Sequence, residues 1–157
     1  MKKLFALMMA VALLMSCCAA MAEEGTDSVP MPEEAAAFEG IWACDRVNLE
    51  MTWEEEGFRV MITWGSSATE STMWEYNCFY NENDHSVASV LNNGIKTDMV
   101  FDENGELKSS TPVYEDGEAV FTLDEDNHLI WKDAKEDAGK DLHFEYVGPI
   151  PPIDQDA

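Results

Sequence analysis

Positive charge is scarce in this chain. Nine Lys and Arg stand against 32 Asp and Glu among 157 residues, a net charge of −23 at pH 7. Binding to DNA, RNA or an anionic bilayer relies on cations that neutralise phosphates, so this balance argues against all three partners. Such a field attracts basic proteins and cations, and it also keeps an exported protein soluble. Long apolar runs are lacking too. The longest, Leu4 to Met15, has 12 residues, whereas a membrane-spanning helix needs roughly 20. Signature motifs are missing as well: no His-x-x-x-His or His-Glu-x-x-His, no Gly-x-Gly-x-x-Gly, no P-loop and no Gly-x-Ser-x-Gly elbow.

What is present begins with a leader. Lys2 and Lys3 precede the apolar run, and Ala20-Met21-Ala22 offers the small-x-small pattern of a cleavage site. This layout predicts a signal peptide over residues 1–22 and export, with the product secreted or anchored to the outer face of a bacterial cell envelope. A second processing route stays open. Leu14-Met15-Ser16-Cys17 resembles a bacterial lipobox, which implies lipidation of Cys17. Cleavage after Ala22 removes two lysines and no acid, leaving seven cations against 32 anions and a net charge of −25. The remainder, about 135 residues, is the size of one domain.

Residues 23–38 read as an acidic linker, with a short helical turn predicted over Glu33 to Phe38. Residues 148–157 read as a Pro-rich tail. Of the four cysteines, Cys44 and Cys78 lie beyond the leader. An even pair in an exported domain predicts a Cys44–Cys78 disulfide, with two buried thiols as the other reading. Two cysteines cannot complete a structural zinc site, which takes four ligands.

From 39 to 147 the pattern is β throughout. Phe58, Val60, Ile62 and Trp64 alternate with polar or smaller residues, and Thr72, Trp74, Tyr76, Cys78 and Tyr80 share a face. Near Asp45-Arg46 the apolar parity slips, from Trp42 and Cys44 to Val47, Leu49 and Met51, which predicts a bulge or bend. Asn92-Asn93-Gly94 predicts a tight hairpin. Short turns impose antiparallel neighbours. The expected fold is all-β, an antiparallel meander closing into an eight- or nine-stranded barrel; a two-sheet β-sandwich is the other architecture that fits. Gly40-Ile41-Trp42, opening the first strand, resembles the Gly-x-Trp start of lipocalin-like (calycin) barrels. That resemblance implies an eight-stranded up-and-down barrel whose open end holds a small ligand. The usual C-terminal helix of those proteins has no counterpart in Asp133 to Asp141. The overall pattern also resembles small exported β-proteins of anaerobic gut bacteria, which implies no activity.

No catalytic residue, metal site or cofactor is predicted. His85, His128 and His143 show no ligand spacing. Ser66 and Ser67 lack a nucleophile elbow. The acidic turns at Asp102, Asn104 and Gly105 and at Asp124, Asp126 and Asn127 read as turn chemistry rather than calcium loops, because neither ends in a glutamate at its twelfth position. Trp42, Trp74, Tyr76 and Tyr80 share one face and form the candidate binding pocket; the other reading is a filled core. The expected function is an exported, non-enzymatic binding or interaction module for a small apolar ligand or a basic protein. A cell-envelope structural component without a ligand site is the alternative. A hydrolase with facing carboxylates is a third and weaker reading.

Overall fold

The computed structural model describes residues 29–151. Ten strands follow a 3-10 helix at Glu33–Ala37: β1 Gly40–Cys44, β2 Val47–Glu54, β3 Gly57–Gly65, β4 Glu70–Asn81, β5 Ser86–Ser89, β6 Gly94–Phe101, β7 Leu107–Gly117, β8 Ala119–Leu123, β9 Leu129–Asp133 and β10 His143–Gly148. Every pairing is antiparallel. Eight strands close a barrel in the order β1-β2-β3-β4-β5-β8-β9-β10, with β10 returning to β1. The remaining two form a hairpin that leaves the wall between β5 and β8.

That hairpin exists because β4 is long. Its C-terminal half pairs with β5, and its N-terminal half, Glu70 to Glu75, pairs with β6. β5 and β6 therefore run end to end along one partner instead of folding back on each other. This corrects the hairpin expected at Asn92-Asn93-Gly94. Leu91 and Asn92 both take positive φ, 49° and 53°, but the pair makes a sideways jog. Gly94 then passes directly over the Tyr76 ring. Among the described residues β7 pairs only with β6, and Pro112 and three register irregularities interrupt the ladder between them. Prolines and bulges of this kind guard an edge against pairing with other chains.

The parity slip at Asp45-Arg46 is also a turn rather than a bulge. Cys44 pairs with Val47 and Trp42 with Leu49 across a two-residue hairpin, with Asp45 at φ 53°. Crossing such a hairpin exchanges even for odd numbering on the same face, so the inward set stays inward.

Inside the barrel Leu49, Val60, Ile62, Tyr76, Val87, Phe121, Trp131 and Phe144 are buried. Edge-to-face aromatic pairs fix their packing: Trp74 with Trp131 at 5.2 Å and Tyr76 with Phe121 at 6.0 Å between ring centroids. The helical turn expected at 33–38 is the 3-10 helix, and it crosses one end of the barrel. Ala35 and Phe38 are buried there. The Trp42 indole donates to the Phe38 carbonyl at 2.9 Å, and Phe38 meets Tyr80 at 6.0 Å. Gly40, at φ 137°, leaves room for the Tyr146 ring, which a Cβ would meet at 2.5 Å.

The segment after β9 crosses the other end. Buried Asp133 accepts backbone N–H bonds from Lys135, Glu136 and Ala138. Lys96–Glu136, at 2.5 Å, and Lys135–Asp116 tie this segment to the β6–β7 hairpin. Lys96 also lies 5.2 Å from the Trp74 ring centroid, within cation–π range.

The expected disulfide is absent: Cys44 and Cys78 are free thiols. Their levels in the barrel explain why. Cys44 pairs with Val47, which pairs with Trp64, whereas Cys78 pairs with Phe58. Trp64 and Phe58 are six residues apart on β3, about 20 Å at a strand's rise of ~3.3 Å per residue. A disulfide needs Cα atoms within about 7 Å. Burial also pushes the Cys78 thiol up to about 12. Alkylation of the native protein near pH 8, read by peptide mass spectrometry, is therefore expected to modify half-buried Cys44 and spare Cys78 until denaturant is added. A native mass showing the two cysteines linked would contradict the strand register.

Candidate functional site

The four aromatic residues proposed to line a pocket do not share one open space. Trp42, Trp74 and Tyr76 are buried in the core. The Trp74 indole donates to the Tyr114 hydroxyl at 3.1 Å. The Tyr76 hydroxyl and the Trp131 indole N–H are buried with no hydrogen-bond partner among the described residues. Burial above all, with the neighbouring Tyr114 phenol and the Asp133 carboxylate adding to it, raises the Tyr76 pKa far above the usual phenol range. Tyr80 alone reaches the surface, between the Glu34 carboxylate at 3.3 Å and His85 Nδ1 at 3.0 Å.

Two outward-facing places hold more. The first is a cleft of about 440 Å³ on the outer wall. The β2–β3 turn supplies Glu54, Glu55 and Glu56, β4 supplies Phe79, and the jog between β5 and β6 supplies Val90 and Asn93. Asn93 exchanges side-chain hydrogen bonds with the Asn77 backbone, at 3.0 and 3.4 Å, which holds the jog against β4. Arg59 also lines this cleft, but Glu75 occupies its guanidinium at 3.0 Å, so the glutamates keep the rim negative. Leu91, between the two jog residues in the lining, is 91% exposed and Phe79 is 49% exposed.

The backbone singles out the same place. Among the described residues eight non-glycine positions take positive φ, and six are Asp, Asn or His, the types that tolerate the left-handed region. The other two are Glu55, at φ 51°, and Leu91, at φ 49°. One lies on each side of this cleft.

The second place is the β8–β9 turn. Asp124 Oδ1 accepts the backbone N–H groups of Asp126 and His128, both at 2.9 Å. Its Oδ2 lies 3.2 Å from Nδ1 of His128 and 3.2 Å from Nδ1 of His143. The His128 N–H holds the Asp124 carboxyl down at about 2, and the His143 and His128 imidazoles add to that effect. The two rings meet edge to face at 5.9 Å. One ligand atom from each of the three residues lies within 4.8 Å of the others. Sequence spacing gave no sign of this cluster, because His128, in the turn just before β9, and His143, at the start of β10, become neighbours only when β9 pairs with β10. The signal that was visible, Asp124 opening an acidic turn, is shared with Asp102. Asp102 Oδ1 likewise caps its turn through the N–H groups of Asn104 and Glu106.

Elsewhere Ser66 Oγ donates to the Glu70 carbonyl at 3.0 Å, an ordinary turn contact. Compared with known proteins, the chain matches no family model, no curated protein and no solved structure. Among the described residues no helix is long and apolar enough to cross a membrane.

Proposed function

We propose that this protein is an exported, non-enzymatic binding module that recognises a cationic polypeptide segment on its outer wall. The observation that carries this reading is Leu91. A large apolar side chain is held almost fully in water on a left-handed backbone, beside a cleft rimmed by Glu54, Glu55 and Glu56. A bulky residue at positive φ costs on the order of 1 kcal/mol or more, and such strain is retained mainly where it serves a function. Leu91 and Phe79 supply an apolar anchor point, and the glutamates supply charge complementarity to Lys and Arg.

The contacts among Trp74, Tyr76, Phe121 and Trp131 favour recognition outside the barrel over a small apolar ligand within it. The eight-stranded closure and the Gly40-Ile41-Trp42 start remain similar to lipocalin-like barrels, but on this reading the interior serves as scaffold. The positive φ of Glu55 follows from its two-residue turn between β2 and β3, but a structural role without a binding surface gives no reason for a bulky apolar side chain, rather than Asn or Gly, at the left-handed position of Leu91.

Leu91→Asn tests the proposal, because Asn accepts the left-handed conformation and removes the apolar anchor. Its stability is expected to rise by about 0.5–1 kcal/mol. Binding of an amphipathic Lys/Leu peptide, followed by titration calorimetry, is expected to weaken about tenfold and to fall further as salt is raised. Binding equal to wild type in Leu91→Asn and Phe79→Ser would overturn the reading, because general charge attraction would then suffice.

A further inference from the structure

We propose that Asp124, His128 and His143 form a binding site for a divalent transition-metal ion of the zinc class, independent of the cleft beside Leu91. Three features carry the inference. The donor set is two imidazoles and a carboxylate, the chemistry that suits Zn²⁺, Ni²⁺ and Cu²⁺ better than Mg²⁺ or Ca²⁺, which prefer all-oxygen shells. The donors already converge: Oδ2 of Asp124 stands 3.2 Å from both imidazole Nδ1 atoms. Two ligands each about 2.0–2.1 Å from a tetrahedral zinc ion are about 3.3 Å apart by geometry, so these two spacings need little adjustment, and the ligand atoms of all three residues lie within 4.8 Å of one another.

The third feature is how the carboxylate is held. Two backbone N–H groups of the turn occupy Oδ1, which fixes the group and leaves Oδ2 for the ion. Hydrogen bonds that orient a ligating carboxylate in this way are the usual support of a metal site. His128 flanks the N-terminal end of β9, and His143 opens β10 opposite Ile130, so the ladder sets their separation. Three protein ligands leave the fourth tetrahedral position to water or to a group from a partner.

The bland reading is a carboxylate shared by two imidazoles with no ion, and the experiment separates the two. The untagged protein is titrated with Zn²⁺ alone, by calorimetry, in a large excess of Mg²⁺ and Ca²⁺ that saturates the scattered surface carboxylates. One tight equivalent is expected. His128→Ala and His143→Ala are each expected to weaken it by more than about tenfold. Asp124→Asn, which keeps a turn acceptor and removes the anionic oxygen, is expected to do the same. His85→Ala is expected to leave it unchanged, because His85 lies instead beside Glu34 and Tyr80. Co²⁺ in place of Zn²⁺ provides a visible absorption band that reports the ligand set directly. Unchanged circular dichroism of the variants shows that the turn still folds. No tight equivalent, or one that survives both histidine substitutions, would overturn the site.

Discussion

Trp131→Ala is expected to lower stability by about 3–5 kcal/mol, the range for removing a buried aromatic from a packed core. Trp131 is 1% exposed, sits opposite Phe121 in the β8–β9 ladder and meets Trp74 edge to face at 5.2 Å. It also supports the segment after β9, whose Gly139 lies so close that a Cβ there would meet the Trp131 carbonyl oxygen. Domains of this size are typically stable by about 5–15 kcal/mol, so the variant would lose much of its margin. Urea denaturation reads the effect as a lower midpoint at an unchanged slope. Val120→Ala, on the outward face of the neighbouring strand, is expected to stay within about 0.5 kcal/mol. A loss below about 1 kcal/mol for Trp131→Ala would mean that the barrel interior is not close-packed at this point.

Gly94→Ala is the second large effect, expected to cost about 1–3 kcal/mol or more through overpacking. An added Cβ would lie 2.3 Å from Cε1 of Tyr76 and 2.9 Å from the carbonyl carbon of Gly117. Neither neighbour yields easily. The Tyr76 ring is fully buried and braced by Phe121, and Gly117 is backbone in the facing strand. Relief therefore requires β6 to lift from β4, or the ring to leave its place in the core. Gly65→Ala is the matched control, because a Cβ there meets only the Arg46 carbonyl, at 3.9 Å. Thermal or urea unfolding of both variants checks the contrast. A Tyr76→Leu background is expected to make the Gly94 cost less than additive, since the two residues are in contact.

Gly94 also shows where reading the chain along its length reached a limit. Asn-Asn-Gly between two β-rich runs is ordinary hairpin chemistry, but the left-handed pair falls on Leu91 and Asn92, not on Asn93 and Gly94. Which strand pairs with which depends on a third element. β4 extends over 12 residues and takes both β5 and β6 on one edge, so the same turn residues produce a jog. At Asp45-Arg46 the opposite happened. The parity slip was correctly located, but a bulge and a two-residue hairpin both exchange odd for even, and only the pairing of Trp42 with Leu49 distinguishes them.

The disulfide expectation failed for a related reason. Compartment and an even number of cysteines argue for a bridge without knowing where each thiol lies along the barrel axis. Shared parity among Trp42, Trp74, Tyr76 and Tyr80 says nothing about whether neighbouring side chains fill the space between them. Spacing along the chain detects metal ligands on one element, whereas the proposed set of Asp124, His128 and His143 is assembled from one turn and one distant strand.

Alternation with period two was enough, from the residues alone, to establish an antiparallel β fold, the shared faces of Phe58, Val60, Ile62 and Trp64 and of Thr72, Trp74, Tyr76 and Cys78, and most of the turns. Each of these depends on residues a few positions apart. Only the tertiary structure decided the closure of β1 on β10, the departure of the β6–β7 hairpin, the separation of Cys44 from Cys78 and the meeting of Asp124, His128 and His143. These depend on register between distant segments, which cross-strand packing chooses and no local pattern encodes.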